Sequence, residues 1–234
     1  MKEIAILMAA GMGARMKPLT DTIAKPLVKV CGVSLIETVI HALERRRVDD
    51  IYVVIGYKAE QFEILRERYP KIQLVYNVDY ETKNNINSIA VVAEKMAEAN
   101  CFVCEADLFV SNAEVLCGEI PMSGYFGKMV NGFSNDWVFE TDSKGLITRV
   151  GKGGTDCFNM VGISYFKQPD ASKIAKAILE EVKRPENANL FWDEVVDRLV
   201  KQGMLNLMVH QVSTSDVVEC DTIDELKALE ASIV

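Results

Sequence analysis

Two glycines and two cations close together carry the first chemical signal in this chain. The stretch "AILMAAGMGARMKPLTDTIAKPLVKV", Ala5 to Val30, runs from an apolar strand into Gly11 and Gly13, then Arg15, then Lys25 ahead of Pro26. A glycine turn lets backbone N–H groups approach a phosphate, and a helix following it adds the positive end of its dipole. Arg15 brings a planar, permanently charged fork that fits phosphate oxygens, and Lys25 a compact second charge. The dinucleotide fingerprint asks for a third glycine where Met16 stands, and the Gly-Lys-Ser/Thr ending of a P-loop is also missing. Two cations flanking the turn suit a triphosphate better than a dinucleotide. A G-x-G pattern taken alone is better explained by a tight turn with solvated charges, so the assignment needs partners elsewhere.

Carboxylates are the first of those partners. Asp107 ends the apolar run "CFVCEAD" and Asp221 ends "VVECD"; acids at the carboxyl ends of sheet strands face the crevice where α/β folds bind ligands. Transfer to or from a triphosphate needs a divalent ion, and Mg2+ is typically held by one or two carboxylates plus substrate oxygens. Each acid taken singly is equally well a solvated loop residue. Glu105 and Glu219 precede them by two residues, on the same side of each strand, as electrostatic partners. "KNNINS" offers amides and a hydroxyl that match a pyrimidine edge, and it equally offers an N-cap, at Asn85 or Asn87, for a helix over "IAVVAEKMA". The two tryptophans stand beside acids, as Asp136-Trp137 and Trp192-Asp193-Glu194. By size alone they read as core.

The elements that must hold these residues alternate in type. Apolar runs at Ile4 to Met8, Ile51 to Ile55, Ile72 to Tyr76 and Cys101 to Cys104 are separated by helical patterns, which predicts a wound parallel sheet. Ser34 reads as the N-cap of a helix ending near Arg47, and Gln61 to Tyr69 as a helix stopped by Pro70. From Tyr125 the rhythm changes to strands in succession, "GYFGKMV", "DWVFET", "LITRVG" and "FNMVGISYF", with "TDSKGL" as a hairpin turn. Helices follow at Ala171 to Lys183 and Phe191 to Lys201, a strand at Val217 to Cys220, and a last helix from Thr222. The expected fold class is α/β, a Rossmann-like wound mixed sheet with a smaller strand-rich lobe covering the substrate. Residues 1–234 read as one domain, 1–118 mainly nucleotide-binding and 119–234 mainly acceptor-binding.

Composition narrows the partners. With 26 basic and 34 acidic residues the net charge is −8, which argues against a nucleic-acid surface. No apolar run approaches the roughly 18 residues of a membrane span, and "MKEIAILMAAG" reads as a strand rather than a signal peptide. The six cysteines lie in or beside apolar runs, as buried thiols of a cytoplasmic protein do. Cys101 and Cys104 have metal spacing, but on a strand residues three apart face opposite ways.

"LMAAGMGARMKPLT" followed by "KPLVKVCG" resembles the signature of the nucleotidyltransferase family that joins nucleoside triphosphates to sugar phosphates and other phosphorylated alcohols. Met8 replaces the signature's usual leucine. Over essentially the whole chain, "VVIGYKAEQFEIL", "LVYNVDY", "NNINS", "NDWVFE", "LFWDEVV" and "ECDTIDELKALE" look like segments of bacterial CTP:phosphocholine cytidylyltransferases. The resemblance implies CTP and phosphocholine as substrates and Mg2+ as cofactor, with fusion to a choline-kinase domain known among relatives. It places Ala9, Ala10, Gly11, Gly13, Arg15, Lys25, Gly56, Tyr57, Asn84, Asn85, Ser88, Glu105 and Ala106 at the nucleotide, with Arg15 and Lys25 catalytic. Asp107 and Asp221 are implied metal ligands, and Asp136, Trp137, Trp192, Asp193, Glu194 and Glu219 are implied to surround the acceptor. A trimethylammonium offers no N–H donor and needs aromatic faces and a nearby carboxylate, whereas phosphoethanolamine, with three N–H donors, suits a site rich in acceptors. Sugar-1-phosphate transfer and a non-catalytic nucleotide-binding module are the other readings. The attacking phosphate is already anionic, since a monoester's second pKa is about 6, so neither His41 nor His210 is needed as a base.

Overall fold

Continuous apolar runs form strands that must be covered on both faces. The structure is a computed structural model describing residues 1–233, and those runs make the centre of a seven-stranded sheet. In chain order the strands are β1 (Glu3–Ala9), the short ladder of β2 (Lys29–Val30) and β3 (Val33–Ser34), β4 (Asp50–Ile55), β5 (Ile72–Tyr76), β6 (Asn100–Glu105) and β7 (Leu108–Val110). They continue with β8 (Gly124–Thr141), β9 (Ile147–Phe166), β10 (Met208–Gln211) and β11 (Val217–Glu219). The helices are α1 (Leu35–Arg46), α2 (Glu63–Arg68), α3 (Ile86–Ala90), α4 (Ala93–Ala97), α5 (Gln168–Glu181), α6 (Trp192–Lys201) and α7 (Ile223–Ile233). The order across the large sheet is β10-β8-β9-β6-β1-β4-β5. Strands β6, β1, β4 and β5 run parallel, and β9 is antiparallel to both β6 and β8. The chain therefore forms the expected mixed, wound α/β sheet.

Helices α3 to α6 cover one face, where Ile4, Ile6, Val103, Phe166 and Trp192 pack, and α1 and α2 cover the other over Ala5, Leu7, Val53 and Phe102. Cys101 and Cys104 fall in these two opposite cores, as their spacing predicts. Cys31 departs from the expectation of buried thiols. It is exposed in the turn joining β2 to β3, at a φ of 49°. Helix α1 starts as predicted: the Glu37 carboxylate accepts from Ser34 N at 3.2 Å and Ser34 Oγ at 2.7 Å, and Arg47 closes it in the left-handed region. Such a cap contributes about 1 kcal/mol.

Three expectations change. The four strands read between Gly124 and Phe166 are two long ones, β8 and β9, joined by the predicted turn, where Asp142 N donates to the Leu146 carbonyl. The polar interruptions "NGFSN" and "GGTD" are bulges, with register shifts at Val130/Phe133 and Ser134/Trp137. The strand-rich part is thus one hairpin continuous with the main sheet. Helix α5 begins at Gln168, three residues before the pattern suggested, because Pro169 is at home in a first turn. No α-helix follows the glycine turn: Ala14–Met16, Leu19–Asp21 and Lys25–Leu27 are single 3-10 turns. Among the described residues no helix is long and apolar enough to cross a membrane.

Candidate functional site

Parallel pairing sets Met8 of β1 beside Glu105 of β6, so the glycine turn and the first acidic segment leave the sheet at the same edge. Strand β11 pairs antiparallel with β7, and Cys220 N donates to the Asp107 carbonyl at 3.2 Å. That ladder brings Asp221 beside Asp107. Ala9, Ala10, Gly11, Gly13, Arg15, Lys25, Asn85, Ser88, Glu105, Asp107, Glu219 and Asp221 line the resulting cleft of about 340 Å³. A second cleft of about 330 Å³ shares Arg15, Glu105, Glu219 and Asp221 with the first and continues to Asp136, Trp137, Lys152 and Asn159 of the hairpin.

Gly13 sits at a φ of 61°, and a Cβ there would lie 2.8 Å from Lys25 Cβ. The second glycine is required by the lysine as much as by the turn. The N–H groups of Gly11, Met12 and Gly13 have no acceptor among the described residues. Those donors remain available to an anion, but the helix dipole expected behind them is absent, and side-chain cations supply the positive charge instead.

Lys25 is 7% exposed, and its Nζ donates to Asp107 Oδ2 and Asp221 Oδ1, each at 2.6 Å. Arg15 Nη2 also meets Asp221 Oδ1, at 2.7 Å. Burial opposes the charge on Lys25, but Asp107 and then Asp221 outweigh it and raise its pKa above the ordinary value. Burial, followed by repulsion from Asp107 and Asp221, pushes Glu219 up to about 8. Burial and then Glu219, Asp107 and Asp193 hold Glu105 well above the carboxylate range. For Asp221 burial is outweighed by Lys25, and its pKa is lowered. One carboxylate oxygen from each of Glu105, Asp107 and Glu219 lies within 4.8 Å of the others. Such crowded acids are relieved by a cation, and their oxygen donors suit a hard divalent ion.

Several implied site residues do structural work in this arrangement. Tyr57 ties loops together, N to the Ala10 carbonyl at 3.1 Å and Oη to the Thr20 carbonyl at 2.9 Å. Gly56 packs under Tyr80, where a Cβ would meet the ring carbon Cγ at 2.6 Å, and Ala106 is fully buried. Asn84 spends its side chain on the backbone of Asn189 and Asn85. Asn85 does not cap α3 with its side chain; its Oδ1 accepts instead from Trp192 N, the first N–H of α6, at 3.0 Å. Asn85 and Ser88 keep the expected place in the first cleft, Ser88 Oγ accepting from Asn77 Nδ2.

The acceptor set divides. Asp136, Trp137 and Glu219 line the second cleft. Trp192 does not: it is 2% exposed and stacks on Tyr125 in the core. Its position at the start of α6, whose apolar side faces the sheet, takes it inward. Asp193 is buried beneath it, accepting from Tyr125 Oη at 3.1 Å, and burial raises its pKa to about 7. Glu194 turns back to cap α6, accepting from Phe191 N at 2.8 Å. Residues absent from the sequence reading join instead. Lys152 holds its Nζ 5.8 Å from the Trp137 ring centre and 5.1 Å from that of Phe191. Asn159 and Gly162 line the same wall, and a Cβ on Gly162 would lie 2.9 Å from Glu105 Oε2. His41 pairs with Tyr69 and His210 with the Met122 carbonyl, both outside the two clefts.

The model of the nucleotidyl transferase family matches residues 4–119. The chain is 44% identical to a 2-aminoethylphosphonate cytidylyltransferase of Lancefieldella rimae, over 100% of this chain and 94% of that one. It is 31% identical to a choline-phosphate cytidylyltransferase of Streptococcus pneumoniae, over 97% and 96% of the two chains. The solved structure of the CTP:phosphocholine cytidylyltransferase from Streptococcus pneumoniae superposes with a TM-score of 0.92 at 29% identity, covering 100% of both chains.

Proposed function

This chain belongs to the nucleotidyl transferase family, among its cytidylyltransferases, and on that premise we propose that it transfers CMP from CTP to an acceptor carrying a primary ammonium, 2-aminoethylphosphonate first, releasing pyrophosphate. The observation that carries the acceptor is the state of the aromatic faces. The resemblance to phosphocholine enzymes calls for Trp137 and Trp192 around a trimethylammonium, yet Trp192 is in the core and the Lys152 ammonium already lies against Trp137 and Phe191. Beside the cations Arg15, Lys128 and Lys152, the cleft presents hydrogen-bond acceptors at Asn135, Asp136 and Asn159. Acceptors suit an ammonium with three N–H donors, whereas a quaternary one has no N–H to donate to them. The 44% relative acts, by its name, on 2-aminoethylphosphonate, which supports the same choice.

In the proposed reaction an anionic oxygen of the acceptor attacks the α-phosphorus of CTP. The new P–O bond forms as the bond to the β-phosphate oxygen breaks, and pyrophosphate takes the electron pair. The acceptor arrives ionised near neutral pH, so no side chain need remove a proton. Lys25 and Arg15 are the cations placed to neutralise the phosphates, and the free N–H groups of Gly11 to Gly13 hold their oxygens. Asp107 and Asp221 are the proposed holders of Mg2+, with Glu219 beside them; bound there, the ion would offset charge on the triphosphate. Asn85 and Ser88 face the nucleotide side, in reach of a base or ribose.

The test is pyrophosphate release from CTP, UTP and ATP against 2-aminoethylphosphonate, phosphoethanolamine, phosphocholine and a hexose 1-phosphate, with and without Mg2+. The expected result is Mg2+-dependent turnover with CTP and kcat/KM for 2-aminoethylphosphonate at least about tenfold above that for phosphocholine. A preference for phosphocholine rejects the acceptor assignment, and CTP binding without turnover on any acceptor rejects the enzyme.

A further inference from the structure

Asn159 on β9 is 5% exposed and stands in the wall of the second cleft. Its Nδ2 donates to Ser134 Oγ at 2.8 Å and to Asp136 Oδ2 at 3.1 Å. Two acceptors on the nitrogen side fix which way the amide points, since a flipped group would set its oxygen against the Asp136 carboxylate. The amide oxygen, Oδ1, is buried and has no hydrogen-bond partner. A buried acceptor left unpaired is costly and uncommon, and calls for an explanation. The neighbouring Asp136 is also incompletely used. Its N donates to Ser134 Oγ at 3.2 Å and its carboxylate takes one bond from Asn159, with no cationic side chain paired to it among the described residues.

We propose that Asn159 determines the acceptor specificity of this site, holding Asp136 in place through Nδ2 and offering Oδ1 as a second acceptor, so that the pair reads an N–H-bearing ammonium. The inference rests on the primary-ammonium reading above and assigns it a residue. One carboxylate attracts any cation, quaternary or primary, through charge alone. An amide oxygen beside it distinguishes them, because only an N–H satisfies it, and a methylated nitrogen leaves it unpaired while adding bulk. Ser134 belongs to the same device as the common partner of both residues.

The experiment compares 2-aminoethylphosphonate with its N-trimethyl analogue in the intact protein, measuring kcat/KM for each and KM for CTP. The variants are Asn159→Leu, which removes donor and acceptor, and Asn159→Asp, which keeps an acceptor. Wild type is expected to favour the primary amine. Asn159→Leu is expected to lose on the order of 10²-fold toward the primary amine and less than about threefold toward the trimethyl analogue, with KM for CTP unchanged. Asn159→Asp is expected to narrow the preference, because a carboxylate attracts both cations and no longer donates to Ser134 or Asp136. Equal losses toward both acceptors, or an unchanged ratio in Asn159→Leu, overturn the role of Asn159 while leaving the primary-amine reading intact. A wild type that prefers the trimethyl analogue overturns the reading itself. If Asn159→Leu fails to fold, the Asn159→Asp ratio decides: a narrowed preference supports the proposal, and an unchanged wild-type ratio rejects it.

Discussion

Lys25 shows how one side chain serves both halves of the cleft. Its ammonium lies 2.6 Å from each of two carboxylates that come from distant parts of the chain, and Gly13 leaves it room to do so. Removing it takes away the cation proposed to meet the reacting phosphates and leaves Asp107 and Asp221 facing each other without it. Lys25→Ala is therefore expected to lower turnover about 10² to 10³-fold, the scale of losing one preorganised charge-stabilising donor. Pyrophosphate release at saturating CTP checks it, and near-normal turnover would sink the catalytic assignment. Position 25 was legible because lysine, proline and leucine stand at family spacing from the glycines. Asp107 and Asp221 were named from their strand ends, but that both bind Lys25 was not legible, because nothing in a linear sequence says that β7 and β11 pair.

At the scale of elements, the hairpin of β8 and β9 forms one wall of the second cleft. Bulges bend it, so that Asp136, Trp137, Lys152 and Asn159 face the end of β6. Gly162 is where β9 rejoins the sheet against Glu105. It has a φ of 75°, and a Cβ would lie 2.9 Å from both Glu105 Oε2 and Leu108 Cδ2. Gly162→Ala is expected to cost about 1 to 3 kcal/mol through backbone strain and the displaced side chains. Its turnover should fall as well, because Glu105 borders both clefts. Denaturant unfolding together with pyrophosphate release checks the pair of effects, and a neutral Gly162→Ala would show that Glu105 is free to move. The sequence indicated strands here but broke each in two, since glycine, serine and asparagine mark bulges as readily as turns.

Across the whole molecule, an acid buried in the core makes stability depend on pH. Asp193 has a folded pKa of about 7 against an ordinary 3.8, because burial disfavours its charge. Between those values the folded chain keeps a proton that the unfolded chain has lost, so stability falls as pH rises from about 4 to about 7. Asp193→Asn keeps an oxygen for Tyr125 Oη and removes one ionisation. At pH 8 the variant is expected to be more stable than wild type by about 2 to 4 kcal/mol, and near pH 4 the two should converge. Urea unfolding of the ligand-free, metal-free proteins at both pH values decides it; a constant difference would refute the burial account.

The sequence by itself determined the alternating strands and helices, the capped first helix, the glycine turn with Arg15 and Lys25, and the acids at the strand ends. All of these are local, since periodicity, turn chemistry and motif spacing lie within a few tens of residues. Tertiary structure decided which of the expected acceptor residues line the second cleft. It sent Trp192, Asp193 and Glu194 to the core and a helix cap, because α6 buries its apolar side, and it set Lys152 and Asn159 of the hairpin in the wall of the second cleft. A tryptophan beside an aspartate reads the same in sequence whether it faces a ligand or the core. Which of the two it meets depends on the side its helix presents to the sheet, and packing alone sets that.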